Sequence, residues 1–314
     1  MLNYALQRIG LAIVIVFLVV FALFVMIHFI PGDPVAIALG PRATPEIEAR
    51  FIAKMRLDEP LYMQFFAFLG GVLQGDLGND IFSERPVSTI LFEALPYTVI
   101  LATAAMAWSA ALGIFLGCFS AARPNSLIDR ITGVVSIGTI TVPSFVVSIY
   151  MLIVFAVFLK WLPVIGAGEP GNFWDQARHL ILPAFAVGLG WVGYVARMVR
   201  ASMLEVIGEN HIRAARSFGL PHRVVVYRYA LKVAILPTIT LLGIGFGNLL
   251  SGAVFAEIIF SRPGIGKLIF DMVMTRNFPV VQGGVLVTAI LYVATTLTAD
   301  LLAAAMDPRI RKSL

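Results

Sequence analysis

Few constellations in this sequence have the residue types that chemistry needs. Ser261-Arg262-Pro263-Gly264-Ile265-Gly266-Lys267-Leu268 sets glycines and a lysine much as a phosphate-binding loop does. Its first position is Ser where that loop has Gly, and Leu268 stands where a Ser or Thr hydroxyl would meet magnesium, so nucleotide hydrolysis is not expected here. Gly188-Leu189-Gly190-Trp191-Val192-Gly193 matches the spacing of a dinucleotide fingerprint without the strand that must precede it, and close helix packing accounts better for its small residues. His28, His179, His211 and His222 are dispersed without a metal-ligand spacing. Cys118 is the sole cysteine and lies in an uncharged run, which excludes an internal disulfide and leaves a packing role.

Two carboxylates fall near apolar runs, where an ionisable group is a candidate for an ion path. Glu257, with Pro263, Gly264 and Gly266 close behind it, is read as a gate or as a structural pairing near a span end, the pairing favoured. Asp300 is placed at an interface. Neither supplies the buried relay that a proton-driven carrier needs.

The elements that must position these groups are membrane helices. The 314 residues (34.1 kDa) are 59% hydrophobic and 13% charged, with a mean hydropathy of +0.91. Its 23 Lys and Arg and 18 Asp and Glu are too few to cover a soluble domain of this length, whereas lipid accepts an apolar exterior. The net charge of +5 raises nucleic acid as a partner, but the basic residues are spread between apolar runs rather than gathered in a stripe, so none is expected.

Ile9 to Ile30 is long enough to cross a hydrocarbon core of about 30 Å and ends in Pro31-Gly32-Asp33-Pro34 rather than at a small-residue cleavage site, so it is a retained span. Further spans are expected over Tyr97 to Ala122, Ile131 to Leu159, Leu180 to Ala196, Val233 to Ala256 and Val280 to Ala299, with Pro143, Pro183 and Pro237 kinking helices or marking their starts. With a cytoplasmic N-terminus, the inner segments hold Arg8, Arg123, Arg130, Arg197, Arg200 and the basic run from Arg213 to Lys232, against Asp129, Glu205, Glu209 and Asp307. That excess of Lys and Arg places both termini inside.

Residues 31–96 are too polar to cross lipid and form an external segment, with a helix start at Pro45-Glu46-Ile47-Glu48 and a second helix over Tyr62 to Val72 along the membrane surface. Pro86 and Pro96 are read as turns. From Arg197 to Lys232, apolar residues recur at helical spacing at Met203, Val206, Ile207, Ala214, Ala215 and Phe218. Gly219 stops the pattern and Pro221 starts a second short helix, giving helix, tight bend, helix. The small Ala214 and Ala215 would let another protein approach closely; alternatively the segment is a hairpin on anionic lipid.

Arg213-Ala214-Ala215-Arg216-Ser217-Phe218-Gly219-Leu220 and the later Tyr229-Ala230-Leu231-Lys232-Val233-Ala234-Ile235-Leu236-Pro237 resemble the coupling motif of the inner-membrane permeases of binding-protein-dependent ABC importers, in the dipeptide, oligopeptide and nickel branch. Ala214, Ala215 and Gly219 match; Arg213 replaces the motif's Glu and Lys232 a later Pro. The series continues in Leu57-Asp58-Glu59-Pro60, Gly75-Asp76-Leu77-Gly78, Pro263-Gly264-Ile265-Gly266, Arg276-Asn277-Phe278-Pro279 and Asp307-Pro308-Arg309.

The resemblance implies an all-α, six-helix integral membrane permease with cytoplasmic coupling helices, organised as an N-terminal membrane helix (1–30), a periplasmic segment (31–96), a core permease domain (97–303) and a cytoplasmic tail (304–314). It implies docking to an ATPase through Arg213, Ala214, Ala215, Gly219 and Leu220. The implied partners are a second, homologous permease subunit, two ATPase subunits that bind ATP and Mg, and a periplasmic or lipoprotein substrate-binding protein. The chain itself would hold no cofactor and catalyse no reaction, and would move di- or oligopeptides across the bacterial inner membrane by alternating access. Nickel, glutathione or another small solute is the alternative cargo; an ATP-independent secondary transporter or a receptor-like subunit is the alternative class.

Overall fold

The structure, a computed structural model, describes residues 2–29 and 59–306. In chain order its α-helices are α1 (Leu2–Phe29), α2 (Leu61–Gln74), α3 (Val87–Ala122), α4 (Leu127–Thr141), α5 (Ser144–Met151), α6 (Phe173–Ile207), α7 (Asn210–Ser217), α8 (His222–Val224), α9 (Leu231–Ala234), α10 (Leu236–Ile259), α11 (Ile265–Met274) and α12 (Phe278–Met306), with π-helical stretches at Leu152–Phe158 and Val225–Ala230. Five are long and apolar enough to cross a membrane, and six spans result when α4 and the helix from Ser144 to Phe158 are taken together. The helix start expected at Pro45, the Pro31–Pro34 turn and the Asp307–Arg311 tail lie outside the described residues.

The central pair is α3 and α6, the most extensive helix contact among the described residues. Lipid exerts no hydrophobic drive between helices, so close approach of backbones decides packing, and small residues permit it. Gly113 and Gly117 on α3 face Val195, Ala196 and Val199 on α6, and Gly188 on α6 faces Ala105 and Trp108 on α3; a Cβ at any of these three glycines would collide. Trp108 meets its polar need by donating Nε1–H to the Ala184 carbonyl at 2.8 Å, while its ring stacks on Phe185 at 4.7 Å. Gly188 and Gly193 thus act in packing, the latter against Ser136 and Thr139 of α4.

α10 packs its Gly243 and Gly247 against Ala299 and Tyr292 of α12, and its Gly245 against Trp191 of α6. α1 lies beside α12, tied by Arg8 to Asp300 at 3.0 Å. α2 packs on α1 through Phe65, whose ring sits 5.4–6.0 Å from those of Phe17, Phe21 and Phe24.

Three expectations change. α3 begins at Val87, and Pro96 lies inside it rather than at a turn. A membrane helix tolerates such a proline because its neighbours re-satisfy the freed backbone groups, and at 36 residues α3 is about 54 Å long and reaches well beyond the hydrocarbon core. The run from Ile131 to Leu159 is not one straight span: it breaks at Val142-Pro143, with 97° between the two helices, since the residue before proline leaves the helical region (Val142 φ −84°, ψ 120°). The fourth span runs from Phe173 to Ile207, its start capped by the Asn172 side chain accepting from the Asp175 N–H at 3.2 Å.

Candidate functional site

The helix–bend–helix expected between the fourth and fifth spans forms in a definite geometry. α6 ends at Gly208 and α7 starts afresh at Asn210. At the end of α7 the Gly219 N–H donates to the Arg216 carbonyl at 2.9 Å and the Leu220 N–H to the Ala215 carbonyl at 3.4 Å. This is a Schellman closure, and it demands the left-handed backbone that Gly219 adopts (φ +75°). Pro221 then caps the next turn, which passes through the π-helical stretch into α9.

The segment has two faces. Ile212, Ala215, Val225, Val226, Ala230 and Ala234 are buried against Val199, Met203 and Val206 of α6 and Cys118 and Ala121 of α3. Arg213, Ala214, Arg216, Ser217, Phe218 and Gly219 are exposed, and Phe218 is 85% exposed. The two alanines therefore separate: Ala214 is open to an approaching protein, whereas Ala215 belongs to the chain's own core and could not be the partner-facing contact expected of it. A one-residue step along a helix turns a side chain by about 100°, enough to move it from one face to the other. Leu220 packs against the inner cluster.

Behind this surface lies a half-buried ion pair that periodicity did not reveal. Asp129, in the first turn of α4, accepts from Arg200 of α6 through Nε at 2.5 Å and Nη2 at 2.8 Å, from the Asn125 N–H at 2.9 Å, and from the Ser120 hydroxyl of α3. The bidentate fork fixes both distance and orientation. From sequence, Asp129 was only one acidic residue among the basic inner segments; nothing local links it to an arginine 71 positions on.

Glu257 sits at the other end of the bundle. It is fully buried, not placed where it could reach an interface. The Thr98 hydroxyl of α3 donates to its Oε1 at 2.6 Å, and the N–H groups of Gly266 and Lys267 donate to Oε2 at 2.8 and 3.2 Å. Thr98 Oγ1 in turn accepts the Ile265 N–H at 2.8 Å. Those three N–H groups are the first of α11, the donors every helix leaves unpaired, so the carboxylate caps a helix from a distance. A Cβ at Gly264 or Gly266 would run into it. This settles the phosphate-loop likeness: the amides that would cradle a phosphate already hold the protein's own anion. Pro263 is exposed, while Arg262 is buried beneath Tyr97, 5.7 Å from the ring centroid. Among the described residues no three His, Cys, Asp or Glu side chains converge on a metal position.

The chain belongs to a known family of membrane transport components: residues 113–312 match the family of binding-protein-dependent transport system inner membrane components, and residues 1–102 match the family's N-terminal model. Individual relatives agree over the whole length. The chain is 36% identical to the di/tripeptide transport system permease protein DppB of Pseudomonas aeruginosa across 99% of both chains. It is 33% identical to the glutathione transport system permease protein GsiC of Shigella flexneri, again over 99% of each. The dipeptide transport system permease protein DppB of Alkalihalophilus pseudofirmus is 35% identical. In fold the chain resembles a subunit of the MetNI methionine ABC transporter in inward-facing form, with a TM-score of 0.58 at 17% identity over 69% of this chain and 96% of that one.

Proposed function

We propose that this chain is one of two pore-forming subunits of an ATP-driven importer for peptide-class cargo, with an external binding protein delivering cargo and two ATPase subunits docking on the 208–235 segment. The observation that carries the reading is the two-faced hairpin: Arg213, Ala214, Arg216 and Phe218 face outward from an element whose inner face is rooted in α3 and α6. A soluble partner that shifts this element must shift the two central helices, which is the physical content of coupling between nucleotide and cargo sites.

In this mechanism ATP closes the ATPase pair, the hairpins move together, and the route opens outward; hydrolysis and release reverse it. ATP and Mg are bound by the partner subunits, and this chain supplies the path. Both termini and the hairpin lie in the cytoplasm, as the distribution of Lys and Arg favours. Relatives named for di- and tripeptides and for glutathione support small peptides as cargo; nickel or another small solute is the secondary reading.

The test is a reconstituted complex with its binding protein in sealed vesicles. ATP-dependent uptake of a labelled dipeptide or of glutathione is expected, with loss of ATPase association on Phe218→Ala combined with Arg216→Glu. Uptake that persists without ATP and follows an ion gradient would overturn the reading.

A further inference from the structure

α10 is enclosed on most of its circumference by α3, α5, α6 and α12. Beyond Pro237 in its first turn, what stays open is one narrow strip at helical spacing, Ile244, Asn248, Ser251 and Phe255, where exposed positions recur every three or four residues. Lipid-facing helices in this protein look different. α1 exposes a broad apolar surface that includes Leu11, Ile13, Phe17 and Phe21. The α10 strip instead carries two polar side chains near the middle of a 24-residue helix.

Neither polar side chain hydrogen-bonds another described residue, whereas Thr288, Thr295, Thr296 and Thr298 of α12 each satisfy their hydroxyl on the carbonyl four residues back. An unpaired carboxamide facing hydrocarbon costs several kcal/mol, so this strip faces something polar. A Cβ at the adjacent Gly252 meets nothing within 4 Å, so there is room. Aromatic rings flank the strip: Phe145, at the start of α5 beyond the 97° break, lies 5.9 Å from Phe255, and Tyr194 of α6 is 47% exposed beside Trp191, the ring on which Gly245 packs.

We propose that Asn248 and Ser251 are a cargo contact midway along the route, taking the neutral amide groups of a peptide backbone. The inference rests on the peptide-import reading above and adds the site. A carboxamide donates and accepts in one plane, as a peptide group does. No charged residue lies on the strip, so terminal ammonium and carboxylate groups are not what it selects, and cargo with different side chains is accepted alike.

The experiment uses the assembled complex carrying Cys118→Ser, with Asn248→Cys and, separately, Ser251→Cys, treated with a membrane-impermeant thiosulfonate during ATP turnover. Both positions label, and saturating dipeptide delivered by the binding protein slows labelling at least about fivefold. In parallel, Asn248→Ala removes the wild-type preference for a dipeptide over its N-methylated peptide-bond analogue in uptake. Labelling by a lipid-soluble maleimide alone would make this a lipid face, and protection in the assembled complex regardless of cargo would make it a subunit seam. Either result overturns the proposal while wild-type dipeptide uptake stands; absence of that uptake overturns the reading beneath it as well.

Discussion

Asp129 and Glu257 are both carboxylates withdrawn from solvent, and α3 holds one at each end: Ser120 touches Asp129 and Thr98 touches Glu257, about 33 Å apart along the helix at about 1.5 Å per residue. They are neutralised by different means. Asp129 is matched by a full charge on another helix, so its environment depends on where α4 and α6 stand relative to each other. Glu257 is matched mainly by dipoles, the hydroxyl of Thr98 and two amides that follow it by nine and ten residues. The first is a joint between two long elements; the second is a closed local knot. In the proposed mechanism, where the hairpin end moves and the opposite end stays ordered, the two devices stand where each is needed.

The largest effect should come from stripping the joint of its cation. Arg200→Ala leaves Asp129 without a countercharge, held only by the Ser120 hydroxyl and the Asn125 N–H, and is expected to cost about 3 kcal/mol, read as a lowered midpoint in thermal unfolding of the purified complex. Asp129→Asn should cost less, because the Arg200 side chain is 35% exposed and can turn toward water. Next, Gly264→Ala drives a methyl into the Glu257 carboxylate at about 1–3 kcal/mol; combining it with Glu257→Ala should give less than the sum of the two, since one collision is removed with its target. Glu257→Gln is expected to be milder still, about 1–2 kcal/mol, because the amide oxygen can keep the Gly266 and Lys267 N–H bonds while its NH2 donates to the Thr98 hydroxyl oxygen. If Glu257→Gln proves worse than Arg200→Ala in the same unfolding assay, the contrast between joint and knot fails. The smallest effect on folding belongs to Phe218→Ala, within about 0.5 kcal/mol, since the ring touches nothing that holds the chain together; its loss should appear in weakened copurification of the ATPase subunits.

Much of the architecture was legible because lipid writes in long words. The apolar runs located each membrane helix, and Gly219 marked the bend, since only glycine accepts that backbone without strain. What escaped depended on partners distant in the chain. Hydropathy is continuous through Val142 and Pro143, so although Pro143 marked a kink or a helix start, nothing in it gave the 97° angle, and Pro96 looked like a turn because proline rules drawn from soluble helices are stricter than membranes require. Ala214 and Ala215 could not be told apart without knowing which face of α7 meets α6. The bond between Asp129 and Arg200 has no periodic signature, and Glu257 was noticed for its charge while Thr98, its neighbour in space, carried no signal.

The knot around Glu257 also bears on how such a chain can vary. Removing the carboxylate strands the amides of Gly266 and Lys267; adding a side chain at Gly264 or Gly266 collides with it; losing the Thr98 hydroxyl unpairs both Oε1 and the Ile265 amide. Single replacements are therefore penalised in every direction, and drift passes most easily through paired changes. Lineages sharing this fold should keep these positions together or exchange them together, although none of them lies on the surface proposed to meet the ATPase.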